Sequence, residues 1–134
     1  MPTITDIEGI GEAYAVKLRE AGVRTTEALL EKGGTPKGRQ ELAKATGLSA
    51  KVILGWVNRA DLYRISGIGA QYSDLLEAAG VDTVMELASR KPEALLEAMS
   101  VVNQKKNLVN QMPGLNRVME WIKSARSLKR AIEY

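Results

Sequence analysis

The sequence contains no cysteine and no histidine among its 134 residues. These two absences exclude zinc sites built from thiolates or imidazoles, iron–sulfur clusters, disulfide bonds and any nucleophile that depends on a histidine base. Phenylalanine is absent as well, and the aromatic residues are two tryptophans and four tyrosines. Chemistry at an active site would therefore have to use carboxylates, lysine, tyrosine or the backbone.

Paired carboxylates are the remaining possibility for an enzyme. Glu27 and Glu31 are four residues apart, as are Glu93 and Glu97, so each pair shares one face of a helix. No feature near either pair indicates a metal or substrate pocket, and solvated acidic faces are common on helices. We therefore predict that the protein is not an enzyme and that it uses no cofactor and no metal.

Long apolar segments are also missing. The run from Val52 to Val57 is much shorter than the roughly 20 residues that a helix needs to cross a bilayer. Residues 1–6 lack the basic and apolar regions of a secretory signal. The composition, with 45% apolar residues, still allows the chain to bury a core. These properties predict a soluble, cytoplasmic protein without a membrane partner.

The chain contains an internal repeat with an offset of 58 residues. Over residues 7–29, 11 of 23 positions are identical to residues 65–87, where composition alone would give roughly one or two. Further along, Trp56 matches Trp121 with an offset of 65, so seven additional residues lie in the second half, within Val101 to Met112. The repeat predicts two units, 1–64 and 65–134, which pack together because no flexible linker separates them.

Helical signals extend over almost the whole chain, and alternating strand patterns are missing. The predicted helix starts are residues that cap a first turn, in places followed by proline: Thr25, Thr35-Pro36, Ser49, Thr83 and Lys91-Pro92. The last helix is predicted to extend from Leu115 to Ile132, because its apolar residues continue at steps of three and four. We predict an all-α protein in which two tandem repeats form one compact helical unit.

Each half has a Gly-Ile-Gly turn, at Gly9–Gly11 and at Gly67–Gly69. Apolar residues lie five and two positions before the first glycine, and a small residue and a leucine lie four and seven positions after the second. This pattern resembles the helix-hairpin-helix motif. The glycines allow a sharp turn with positive φ, and the isoleucine, Ile10 or Ile68, fills the space between the two helices.

The helix that follows each turn begins with free backbone amides. Such a helix N-terminus can bind a phosphate oxygen, and in helix-hairpin-helix proteins these turns contact the DNA backbone without reading its sequence, which is what the resemblance implies here. Lys17 and Gln71 are additional candidate phosphate ligands. The predicted contact residues are therefore Gly9, Ile10, Gly11, Lys17, Gly67, Ile68, Gly69 and Gln71.

Carboxylates near the turns favour the alternative, in which the turns are purely structural. Glu12 follows the first turn directly and would repel a phosphate bound there. Asp74, Glu77 and Asp82 predict acidic surroundings for the second turn. Both interpretations stay open from the residues alone, because a motif constrains the fold more than it constrains the function.

The basic residues are concentrated near the C-terminus. Residues 103–134 contain seven basic and two acidic side chains, although the whole chain has a net charge of only +3. Lys123, Arg126 and Arg130 are predicted to form a basic strip on the last helix, opposite its apolar face. Such a strip can bind phosphates or an acidic protein partner.

The chain as a whole is similar to a bacterial family of tandem helix-hairpin-helix proteins without an established function. The residues behind this resemblance are the two turns, the segments Gly47–Ser49, Trp56–Leu62 and Leu75–Thr83, and Trp121-Ile122. The leading hypothesis is a non-catalytic module that binds the phosphate backbone of a nucleic acid, with DNA as the expected partner, through the hairpin amides and the strip. The alternative is a protein-interaction or scaffolding module with an acidic partner.

Overall fold

The computed structural model describes residues 2–134 and confirms the all-α prediction. A short 3-10 helix, Ile4–Asp6, precedes eight α-helices in this part of the chain. They are α1 (Glu12–Glu20), α2 (Thr26–Gly33), α3 (Pro36–Thr46), α4 (Ala50–Leu62), α5 (Ala70–Ala78), α6 (Val84–Ala88), α7 (Pro92–Lys106) and α8 (Leu115–Ser127). None of these helices combines the length and the apolar character needed to cross a membrane.

Local sequence signals place five helix starts and the end of α3 correctly. The four predicted hydroxyl caps each accept a hydrogen bond from the amide three residues later, at 3.0–3.2 Å, and they are Thr25, Thr35, Ser49 and Thr83. Gly47 ends α3 in the left-handed conformation with φ of 74°, where a side chain would be strained. The helix starts are thus confirmed wherever a cap or a proline predicted one.

The two halves repeat the same packing. Helix α2 packs against α4, and α6 packs in the same way against α8; α3 and α7 pack on the same partners, α4 and α8. Each half has its own apolar core, built around Trp56 in the first and Trp121 in the second. The extra length of the second half lies in α7 and in the loop 107–114 that follows it.

The two halves are joined at the C-terminal end of α4. Leu62 is fully buried in the core of the second half, although it belongs to a helix of the first. One turn earlier, Arg59 is 7% exposed and forms ion pairs with Asp74 and Glu77 of α5. The guanidinium thus brings two carboxylates of the second half onto α4, and the apolar contact and the ion pairs fix the relative position of the halves.

The last helix is shorter than the sequence predicted. Helix α8 ends at Ser127, and Leu128 is extended, with φ of −88° and ψ of 145°. Residues 128–134 return to the first half, where Ile132 is 3% exposed within the core and the Glu133 amide donates to the Gly34 carbonyl at 2.7 Å. The predicted end at Ile132 was wrong because burial in the first core and hydrogen bonds to Gly34 and Arg39 replace the last helical turns.

Residues 128–134, the C-terminal tail, approach the first half closely at Gly34. A Cβ atom on Gly34 would lie 2.8 Å from the carbonyl oxygens of both Ala131, in the tail, and Leu30, in α2. We expect Gly34→Ala to lower the free energy of unfolding by about 1–3 kcal/mol, because the tail backbone must move away. Gly55→Ala is the matched control: Gly55 lies inside α4 with no atom near its Cβ position, so alanine should stabilise the helix by about 0.5–1 kcal/mol.

Urea denaturation followed by circular dichroism measures both variants. Equal stabilities for Gly34→Ala and the wild-type protein would show that the tail does not need the close approach. The sign of the difference between the two glycine variants is informative because both substitutions add the same methyl group.

Candidate nucleic-acid interface

The two Gly-Ile-Gly turns have the same backbone conformation. Gly9 and Gly67 have φ of 95° and 90°, a region that residues with a side chain rarely adopt. Ile10 and Ile68 each have 4% of their surface exposed and belong to the cores of their halves. The isoleucines therefore hold the turns in place, as the sequence predicted, and are not available to touch a ligand.

A tryptophan lies against the first glycine of each turn, and a tyrosine packs against that tryptophan. A Cβ atom on Gly9 would lie 3.3 Å from Trp56 Nε1, and the same distance separates a Cβ on Gly67 from Trp121 Nε1. The ring of Tyr14 lies 5.5 Å from that of Trp56, and Tyr72 lies 5.3 Å from Trp121. These distances are typical of favourable aromatic pairs. The repeated sequence thus produces a repeated support for the turn.

Helices α1 and α5 begin without a side-chain cap. Gly11 and Gly69 occupy the cap positions, whereas a hydroxyl caps each of α2, α3, α4 and α6. Within residues 2–134, the amides of Ala70, Gln71 and Tyr72 donate no hydrogen bond, and neither do those of the three residues after Gly11. Each turn therefore leaves three backbone donors at the positive end of a helix.

The first turn is flanked by charges of both signs. Glu12 is exposed and its carboxylate accepts a hydrogen bond from Arg19 Nη1 at 2.9 Å. The predicted ligand Lys17 lies in the last turn of α1, about 7 Å along the helix axis from Glu12, so the structure does not bring it to the amides. A cleft of about 700 Å³ beside this turn is lined by Glu8 and Lys51 among others.

The second turn opens into a depression without charged side chains. Its volume is about 500 Å³, and its lining consists of Gly67, Gly69, Ala70, Gln71, Tyr72, Asn110 and Gln111. None of the three acidic residues predicted near this turn lines the depression. Asp74 and Glu77 point to Arg59 in the contact between the halves, and Asp82 lines a separate groove with Gly55 and Gly80.

Asn110 and Gln111 belong to the loop 107–114, for which the sequence predicted no role. Asn103 fixes this loop through two hydrogen bonds with Val109, from Nδ2 to the carbonyl at 3.1 Å and from the Val109 amide to Oδ1 at 3.0 Å. The Tyr72 hydroxyl donates to the Gln111 carbonyl at 3.2 Å. The extra residues of the second half, visible in the repeat alignment, were the only signal for this loop.

The basic strip does not adjoin the second turn. Trp121 faces Gly67. Successive residues of a helix are 100° apart around its axis, so Lys123 and Arg126 point about 200° and 140° away from the direction of Trp121. Arg126 Nε donates to the Ala88 carbonyl at 3.1 Å. Arg130 lies beyond the end of α8, 5.8 Å from the ring of Tyr134, so the prediction that it belongs to a strip on the last helix was wrong.

Comparison with known proteins identifies the family. A domain of unknown function, DUF4332, matches residues 8–128, and the chain belongs to this family. No curated protein and no solved structure has significant similarity to the chain.

Proposed function

We propose that this member of the DUF4332 family is a non-catalytic helix-hairpin-helix module that binds a nucleic-acid backbone without reading its sequence, chiefly through the second turn. The observation behind the proposal is the combination of three unpartnered amides, at Ala70, Gln71 and Tyr72, with a depression that has no charged side chain in its lining. A phosphate oxygen placed there accepts hydrogen bonds from the amides and is stabilised by the helix dipole.

The hydrogen-bond donors around the proposed phosphate position are neutral, which fits a contact with the nucleic-acid backbone. Asn110 and Gln111 line the same depression as Gln71, and side-chain amides can donate to phosphate and sugar oxygens. Because no lysine or arginine is part of this site, few counterions are released on binding. We expect weak affinity, at the level of about 10⁻⁴ M at physiological salt, and a salt dependence that corresponds to about one or two phosphates.

Gln71→Glu tests the second turn directly. A carboxylate in the first turn of α5 favours the helix but repels a phosphate, so we expect the affinity for a random-sequence 20-base-pair duplex to fall at least about fivefold while the melting temperature stays equal or rises. The measurement is fluorescence anisotropy at low salt, with melting followed by circular dichroism. The matched control is Gln40→Glu, which makes the same charge change on an exposed site of α3.

Two outcomes contradict the proposal. One is the absence of salt-dependent binding of the wild-type protein to the duplex at low salt. The other is an equal loss of affinity in the Gln71→Glu and Gln40→Glu variants, which would mean that only net charge matters. The Glu12→Gln variant measures how much the first turn contributes to duplex binding. If that turn also contacts a phosphate, removal of the carboxylate should strengthen binding about twofold.

A further inference from the structure

Helices α4 and α8 are structural equivalents with an offset of 65 residues. Trp56 and Trp121 make the same contacts with their turns. The core positions agree as well, because Ile53 and Val118 are both fully buried. Each position on α4 therefore has a defined counterpart on α8, and the surroundings of the two helices can be compared residue by residue.

One face of α4 is covered by the second half. Arg59, Asp61 and Leu62 have 7%, 2% and 0% of their surface exposed, because α5, α6 and the second core lie against them. The counterparts on α8, which are Ser124, Arg126 and Ser127, are all exposed. Helix α8 thus presents to solvent the face that, in α4, receives a neighbouring helix.

This face borders an open groove of about 560 Å³. Pro92 and Met119 contribute apolar surface to the groove, Lys123 and Arg126 supply two cations, and Glu120 supplies one carboxylate. Met119 is 46% exposed, more than most apolar side chains of this protein. We call Met119, Lys123, Ser124, Arg126 and Ser127 the open face of α8.

The cations of the open face have no acidic partner. Within residues 2–134, Lys123 forms no ion pair, and Arg126 uses only Nε, which donates to the Ala88 carbonyl at 3.1 Å. That hydrogen bond orients the guanidinium and leaves both Nη groups available, an arrangement suited to a carboxylate. The pair is spaced three residues apart on the helix, so both charges point to the same side.

The contact between α4 and α5 shows that a helix with carboxylates can cover this side of α4, although the cation there corresponds to Ser124 and the cations of α8 lie at neighbouring positions. There, Arg59 receives Asp74 and Glu77, two carboxylates three residues apart on one helix. We propose that the open face of α8 is the docking site for an acidic amphipathic helix of a partner protein, which places carboxylates on Lys123 and Arg126 and an apolar side chain on Met119. Charge complementarity to Lys123 and Arg126 selects this occupant.

The test uses a fluorescein-labelled, alanine-based helical peptide of 16 residues, with glutamates three residues apart and one leucine on the same face. We expect saturable binding that weakens at least tenfold in the Lys123→Glu, Arg126→Glu double variant. Lys37→Glu with Lys44→Glu is the matched control, since it reverses two exposed charges on α3 and should change the affinity less than twofold. A peptide with glutamines in place of the glutamates should bind at least tenfold more weakly.

The Met119→Ala variant separates docking from simple charge attraction, and it should weaken peptide binding about threefold. Equal losses in the two double variants, or no binding of the peptide at low salt, overturn the proposal. It is also overturned if the 20-base-pair duplex, but not the peptide, loses its affinity in the Lys123, Arg126 variant, because the open face would then be a nucleic-acid surface. The Gln71→Glu variant should bind the peptide normally, so this test is independent of the proposed phosphate site.

Discussion

Replacement of Asp61 by alanine is expected to lower the free energy of unfolding by about 3 kcal/mol, one of the two largest effects anticipated for this protein. Asp61 is 2% exposed at the end of α4. Its Oδ2 atom accepts a hydrogen bond from the Val84 amide at 2.8 Å, and its Oδ1 atom accepts one from Arg64 Nη1 at 2.8 Å. Alanine would leave the Val84 amide, at the start of α6, buried without an acceptor.

The expected loss of stability is large because the contact between the two halves depends on the Asp61 carboxylate. A buried donor left unsatisfied costs about 1–3 kcal/mol, while the N-cap of α6, Thr83, keeps its own hydrogen bond from the Glu86 amide. The Arg64 guanidinium would also lose its acidic partner, although its Nη2 group still donates to the Lys129 carbonyl at 2.7 Å. The contact between the halves should therefore weaken on both sides of Asp61.

Two variants control this experiment, which is urea denaturation followed by circular dichroism. Asp61→Asn retains an oxygen acceptor for the Val84 amide and should lose about half as much stability as the alanine variant. Asp82→Ala removes an exposed carboxylate that also precedes α6, and it should stay within about 0.5 kcal/mol of the wild type. A similar small effect for Asp61→Ala would show that this carboxylate does not hold the halves together.

The positions of the helices could be predicted because their signals are local. A hydroxyl that caps a first turn, as Thr35 does, or a proline at the first helical position, as Pro92 is, acts within a few residues. The repeated turns were equally accessible, because identical residues such as Gly9 and Gly67 adopt the same conformation. Periodicity, caps and repeats therefore sufficed for the all-α fold.

The contacts between the halves could not be predicted in the same way. Arg59 and Asp61 are charged residues near the end of an amphipathic helix, where solvent exposure is the usual expectation. Their burial depends on where α5 and α6 lie, and this position is a property of the tertiary structure. The ion pairs of Asp74 and Glu77 with Arg59, which keep both carboxylates out of the depression at the second turn, could not be predicted for the same reason.

The candidate site was partly predictable. The glycine turns and Gln71 follow from the motif, whereas Lys17 lies on the wrong turn of its helix and Asn110 enters from a loop more than 35 residues away in sequence. A ligand site needs residues that are close in space, and a single sequence reports only residues that are close along the chain. The loop 107–114 illustrates this limit, because its length was visible and its destination was not.

The second large effect is expected at Ile132, where alanine should lower the free energy of unfolding by about 3 kcal/mol. The side chain is 3% exposed in the core of the first half. Its neighbour Glu133 accepts a hydrogen bond from Arg39 Nη2 at 2.7 Å through the backbone carbonyl, while Arg39 Nη1 donates to the Gly33 carbonyl at 2.9 Å. Loosening the tail would therefore also take one partner from Arg39, which is only 5% exposed.

Hydrogen exchange distinguishes this arrangement from the longer helix that the apolar pattern suggested. Ile132 belongs to the first core, so Ile132→Ala should accelerate amide exchange in α2 and α3 more than in α6. Leu128, which is half-buried against the second core, provides the opposite case, and Leu128→Ala should act mainly on α6 and α8. Tyr134→Ala is the neutral control, because this side chain is 65% exposed. If Ile132→Ala instead accelerated exchange mainly in α6, the tail would continue α8, and the first half would be stable without it.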